Sequence, residues 1–181
     1  HAVVAHTEVA GPSGIEVEPV GSTAELGAAM TRAAKAADVV VMAAAPVDFT
    51  PADVSETKIK KAGDAGTTVT LVQTPDVLRG LVESREDPHQ VIVGFAAETA
   101  VDQAQLVALG RDKLLRKGCD LLVLNAVGRD LVFGREDNEI TLLGREEGGI
   151  SVDGPYAGTK DVLAHRLLET ALRSRAGRSG G

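Results

Sequence analysis
Two sets of charged side chains have the types and spacing to act on a polyanion. One is Asp48 with Lys58, Lys60 and Lys61, which share the stretch DVVVMAAAPVDFTPADVSETKIKK at 38–61 of an otherwise acidic chain. The other is Lys113 and Lys117, four residues apart and so on one face of a helix. Ammonium groups around a phosphate chain neutralise it, and a carboxylate beside them suits a metal or a ligand hydroxyl. Together they suggest a nucleoside triphosphate with its metal. Each set also has a plainer reading. Asp48 can cap a turn in a solvated loop, and the two lysines can belong to a solvated helix surface beside Asp112 and Arg116. On these residues alone both readings stand.

The elements that must hold these groups follow from periodicity. Residues 39–45 are small, apolar and uncharged, which reads as a buried parallel strand, and Asp48 falls just past its end at Pro46. In open α/β sheets, ligands bind outside the carboxyl ends of the strands. Residues 2–5 and 15–20 read as short strands. Ser22 or Thr23 caps a helix to about residue 37, with Glu25 in its first turn. Residues 69–72 read as a strand, and Thr74 as a candidate cap for a helix at 76–83. A buried strand at 91–96 is followed by a helix at 101–117, which Gly118 ends, and by a strand at 121–124. This alternation predicts a parallel sheet with right-handed crossovers. Residues 129–138 then form a charged loop, 140–143 and 149–152 a hairpin, and 161–173 a last amphipathic helix. The basic, glycine-rich residues 174–181 read as a disordered tail.

Composition closes other routes. With 2% aromatic residues the chain has no stacking platform for single strands, and a net charge of −7 disfavours nonspecific nucleic-acid binding. No apolar run has the length of a membrane span, and no signal peptide is visible, which predicts a cytoplasmic protein. The single cysteine, Cys119, reads as a small buried hydrophobe. There is no GxxxxGK[ST] and no GxGxxG, so neither usual phosphate loop is present. The histidines show no metal spacing, and the serines lack a nucleophile elbow. Phe95 packs on a base or in the core. Glu98 binds a metal or ribose or caps a helix, and Asn125 bonds a ligand or satisfies a strand end.

Several motifs in order resemble the phosphopantothenoylcysteine synthetase family, the synthetase half of the bifunctional bacterial coenzyme A biosynthesis protein. They are AAAPVDFTP at 43–51, KIKK at 58–61, TPDVL at 74–78, GFAAET at 94–99, KLLRKGCDLLVLNAV at 113–127 and FGREDNEITLL at 133–143. The resemblance covers about residues 2–173, as one N-terminally truncated domain. It implies an α/β, Rossmann-like three-layer fold, with a mostly parallel sheet and a C-terminal β-hairpin extension. It also implies a ligase that uses CTP and Mg²⁺ to activate 4′-phosphopantothenate as an acyl-cytidylate and joins it to cysteine, acting as a homodimer. The alternative is a catalytically incomplete CTP-binding module. By resemblance, Met42, Ala43 and Ala44 line the nucleotide site, and Asp48 and Lys58 act on the nucleotide as catalytic candidates, with Lys60 and Lys61 beside them. Pro75, Asp76, Val77 and Leu78 form a loop against it, Phe95 packs near it, and Lys113 and Lys117 hold its phosphates. Two departures are Pro46-Val47 in place of a Val-Ala pair before the Asp, and the family's leading strand, glycine-rich turn and Asn- and Ser-rich loop, which precede the region of resemblance.

Overall fold
The computed structural model describes residues 1–7, 11, 13–60, 66–127 and 137–179. Its centre is a five-stranded sheet of order β3-β6-β7-β8-β9. Strands β3 (Val39–Met42), β6 (Val91–Glu98) and β7 (Leu121–Ala126) run parallel, with Val39 opposite Val91 and Val93 opposite Leu121. The hairpin of β8 (Asp137–Glu146) and β9 (Gly149–Thr159) continues the sheet antiparallel from β7. The expected hairpin is thus longer than its apolar residues alone indicated, and β8 begins inside the segment read as a charged loop.

Alternation along the strands sorts the core into two faces. Val40, Met42, Ile92, Leu122 and Leu124 meet α1 (Thr23–Ala34), α2 (Val77–Glu83) and α3 (Gln103–Lys117) through Leu26, Leu81, Leu106 and Leu114. Val91, Val93, Leu121 and Val123 meet α4 (Lys160–Ser179) through Leu163, Leu167 and Ala171. The result is three layers, Rossmann-like, with a core of aliphatic side chains, as the low aromatic content requires. Gly94 matters on the first face: a Cβ there would come within 2.6 Å of Leu78 and 3.3 Å of the Cys119 sulfur. Cys119 is fully buried, and desolvation pushes its thiol up to about 11, which fits the inert reading.

The helices start and stop where local chemistry tells them to. The Ser22 hydroxyl accepts from the Glu25 N–H, while the Glu25 carboxylate accepts from the Gly21 N–H, a reciprocal capping box. Asp102 and Gln105 repeat it at α3. Gly118 ends α3 at φ 74°, a left-handed conformation that glycine adopts without a Cβ penalty.

Three expectations need correction. The strand near 69–72 is β5 (Leu71–Gln73); it pairs antiparallel with β4 (Phe49–Pro51) in a separate exposed ribbon and does not join the central sheet. The cap of α2 is Asp76, not Thr74: the Asp76 carboxylate accepts from the Arg79 N–H at 3.1 Å. Thr74 instead donates its hydroxyl to the Val47 carbonyl, and its N–H goes to the Asp48 carbonyl at 3.0 Å. The tail is helical through Ser179, because Arg175 and Arg178 reach carboxylates under the sheet. Strands β1 (Ala2–Ala5) and β2 (Val17–Val20) form a parallel pair against α1. Among the described residues no helix is long and apolar enough to cross a membrane.

Candidate functional site
A cleft of about 910 Å³ opens at the carboxyl ends of the three parallel strands. The segment after β3 forms one wall, from Met42 through Ala43, Ala44 and Pro46 to Asp48. The β5–α2 connection, Pro75 to Leu78, forms a second. Phe95, Ala96 and Ala97 of β6 lie between them, and Lys113 and Lys117 of α3 close the far side. The structure therefore gathers eleven of the expected site residues: Met42, Ala43, Ala44, Asp48, Pro75, Asp76, Val77, Leu78, Phe95, Lys113 and Lys117. It does not bring Lys58 or Lys60 into that lining. Both are exposed on the stretch between β4 and β5, and Lys61 lies outside the described residues.

The two lysines sit there because α3 packs its Leu106, Gly110 and Leu114 stripe inward, which leaves 113 and 117 on the adjoining edge. Gly110 permits the close approach, since a Cβ would fall 2.3 Å from Leu124. Each ammonium is already engaged. Lys113 Nζ donates to Glu98 Oε1 at 2.6 Å, at the end of β6, and Lys117 Nζ donates to Asp76 Oδ2 at 2.5 Å. All four side chains are partly buried, the lysines a quarter exposed. Like-charge repulsion along α3 is thus relieved by protein carboxylates. Glu98, read as a metal or ribose ligand or a cap, is the partner of Lys113. Burial pushes the Asp76 carboxyl up, but the Lys117 ammonium and the Arg79 N–H outweigh burial and hold it below the usual carboxylate range. The Asp48 carboxylate is exposed, and no ion pair engages it among the described residues.

Several lining residues were not singled out as site residues from sequence. Gln73, Thr74, Ala45, Val47, Phe49 and Val127 are there. So are Asn125, weighed as a strand-end group, and Asn138, whose side chains join at 3.1 Å. A polar amide at the end of a predicted strand was a readable signal for Asn125. Asn138 gave none, since its place beside β7 depends on the hairpin. A second hollow of about 650 Å³, between the start of α1 and the 44–47 segment, adjoins the cleft across Pro46. Among the described residues no group of three or more His, Cys, Asp or Glu side chains is gathered to hold a metal ion.

What this arrangement can do is bind an elongated anion, with an apolar floor at Phe95 and Leu78, an exposed stretch at 43–45 and cations at the far end. Comparison with known proteins agrees with the architecture. Residues 1–174 match the DNA/pantothenate metabolism flavoprotein C-terminal domain family. The chain is 39% identical over 170 residues to the coenzyme A biosynthesis bifunctional protein CoaBC of Mycobacterium tuberculosis, covering 92% of this chain and 40% of that protein. It is 36% identical over 166 residues to CoaBC of Bacillus subtilis, covering 91% and 39%. The chain therefore spans about two fifths of the length of these relatives. Among solved structures, the C-terminal domain of CoaBC superimposes with a TM-score of 0.66 at 24% identity, covering 94% of this chain and 72% of that one. A Cab2 variant in complex with phosphopantothenate-cysteine gives 0.65 at 20% identity, covering 90% and 55%. On its matched length and its relatives, the chain belongs to the DNA/pantothenate metabolism flavoprotein C-terminal domain family.

Proposed function
We propose that this chain carries the CTP site of a ligase that joins 4′-phosphopantothenate to cysteine in coenzyme A biosynthesis. The observation that carries the reading is the cleft itself. It brings together Asp48, the 75–78 loop, Phe95, Lys113 and Lys117 at the carboxyl ends of β3, β6 and β7. Family membership and the CoaBC relatives support the choice of reaction.

In this reading the base lies against Phe95 and the 75–78 loop, and the backbone of Met42, Ala43 and Ala44 bonds to the nucleotide. A carboxylate oxygen of 4′-phosphopantothenate attacks the α-phosphorus of CTP, the bond to the bridging oxygen breaks and pyrophosphate leaves. The amine of cysteine then attacks the acyl carbon, the acyl–oxygen bond breaks, CMP leaves and the amine gives up a proton. Charge grows on the leaving pyrophosphate, and Lys113 and Lys117 stand where they would stabilise it. Lys58, with Lys60 and Lys61, would serve the same phosphates from the β4–β5 connection. Mg²⁺ favours one or two carboxylates together with phosphate oxygens over a dedicated protein cage. Asp48 fits that role, and the ion would neutralise phosphate charge. The protein's own part is to orient two substrates and exclude water between them. A homodimer through the β8–β9 hairpin belongs to the same proposal, and light scattering tests it; residues 128–136, expected to share in that interface, lie outside the described residues.

The test is a titration with CTP and with ATP, each with Mg²⁺, followed by pyrophosphate release with 4′-phosphopantothenate and product formation with cysteine. Selective CTP binding with release is the expected result. ATP binding as tight as CTP would sink the reading. A second reading, a CTP-binding module without ligase activity, is favoured by one observation: Lys58 and Lys60 stand outside the cleft lining. It requires CTP binding with no pyrophosphate release.

A further inference from the structure
The cleft is less cationic than its lysines make it look. The charged side chains lining it are Lys113 and Lys117 against Asp48 and Asp76, and Glu98 stands directly behind Lys113. Each lysine is held by a carboxylate on a different element: Lys113 by the end of β6, Lys117 by the N-cap of α2. Both pairs are partly exposed and lie at the edge of the space a ligand would fill. Neither pair is needed to dock α3, which Leu106, Gly110 and Leu114 already fasten to the sheet.

We propose that Glu98 and Asp76 are internal competitors for the ligand's phosphates. They keep the two ammonium groups in place when no polyanion is bound. They then share them with a bound polyphosphate at the cost of carboxylate–phosphate repulsion, and draw them back as pyrophosphate leaves. An ammonium has three donors and spends one on its carboxylate, so a phosphate oxygen can add to the pair without breaking it. The neighbouring negative charge remains, and it lowers the affinity the lysines would otherwise give. In this arrangement the carboxylates limit how tightly pyrophosphate is held and so speed its release. The two are positioning residues that act through Lys113 and Lys117. The inference rests on the polyphosphate reading of the cleft.

The chemistry offers clean substitutions. Glu98→Gln keeps an oxygen acceptor for Lys113 and removes the charge. Asp76→Asn keeps the cap of α2, because Asn caps as well as Asp, and likewise removes only the charge. Titrations with inorganic tripolyphosphate and with CTP would compare the wild-type chain, both variants and Lys113→Ala. The expected result is that each neutral variant binds both ligands about threefold to fivefold tighter, with slower dissociation, while Lys113→Ala binds them more weakly. A purely structural role for the carboxylates gives the opposite sign, because slack lysines bind less well. Unchanged or weaker binding by both Glu98→Gln and Asp76→Asn, with Lys113→Ala still impaired, overturns this inference and leaves the nucleotide reading standing. If the wild-type chain binds neither ligand, both fall. Thermal melts on the same samples add a check: Asp76→Asn is expected to lose a little stability while gaining affinity.

Discussion
The two ends of the parallel sheet are built from the same kinds of charge and used in opposite ways. At the amino end, the Asp120 carboxylate is buried and takes two arginines, Arg85 and Arg178, each at 2.7 Å, as well as the Ile92 N–H at 2.7 Å. Arg175 bridges Asp38 and Asp87 nearby. Gln90 spans the same floor, giving its amide N–H groups to the carbonyls of Ala34 and Ala37 at the end of α1. At the carboxyl end Glu98 and Asp76 take one cation each, and Asp48 is engaged by no ion pair among the described residues. The cations are lysines, about as open to water as the arginines at the other end but each given to a single carboxylate. Guanidinium groups in a fixed fork close a site, whereas ammonium groups on flexible stems leave it available. The lesson is that saturation of hydrogen-bonding capacity, more than the presence of charge, separates the closed end from the end that bears the candidate site.

The comparison can be broken at either end. The largest expected effect is at the closed end. Asp120→Ala strands two arginines and a buried N–H and should cost about 3–5 kcal/mol in urea unfolding, with CTP affinity of the folded fraction unchanged. A loss below about 1 kcal/mol would mean that the cluster is only a surface ornament. At the open end, Lys113→Ala removes a charged donor beside a partly exposed carboxylate. Its stability change should be small, while CTP binding should weaken by about tenfold to a hundredfold, read by calorimetry. Equal effects of the two substitutions on both properties would erase the distinction.

A smaller effect sharpens the comparison further. The Asp76 carboxyl titrates below its ordinary value of 3.8 in the folded chain. The unfolded chain therefore binds the proton first, and stability rises with pH through this window. The contribution is complete above the ordinary value and is lost as pH falls through the lowered one. Acid unfolding curves of wild type and Asp76→Asn should converge at the bottom of that window and separate above it. Curves that stay parallel would show that Lys117 does not hold Asp76 in solution.

Local order was legible in the sequence, and long-range partnership was not. The four helices followed from apolar spacing and from caps such as Ser22 with Glu25, because both signals lie within a turn or two. Lys113 and Lys117 showed a shared face, but their carboxylates come from the end of β6 and the start of α2, which only the folded chain brings near. The same limit explains β5, whose β-branched and apolar residues announced a strand without naming its neighbour, β4. It also explains the C-terminal residues. Glycines and basic side chains read as a loose tail, yet Arg175 and Arg178 find Asp38 and Asp120 and extend the helix. At the site, residue types near strand ends marked residues that the fold gathers in one cleft. The reach of Lys58 and Lys60 depends on a connection whose course the sequence pattern does not encode.

Gly94 bears on the shape of the cleft in a way its size conceals. The strand carrying it runs so close to α2 that an added methyl group would strike Leu78, which lines the cleft. The position of Leu78 in the cleft wall is thus set by a missing side chain, and one carbon atom is enough to change it. Substitution by alanine would force Leu78 to move and so reshape that wall, a molecular shim. A purine, broader than a pyrimidine, should feel that change before CTP does.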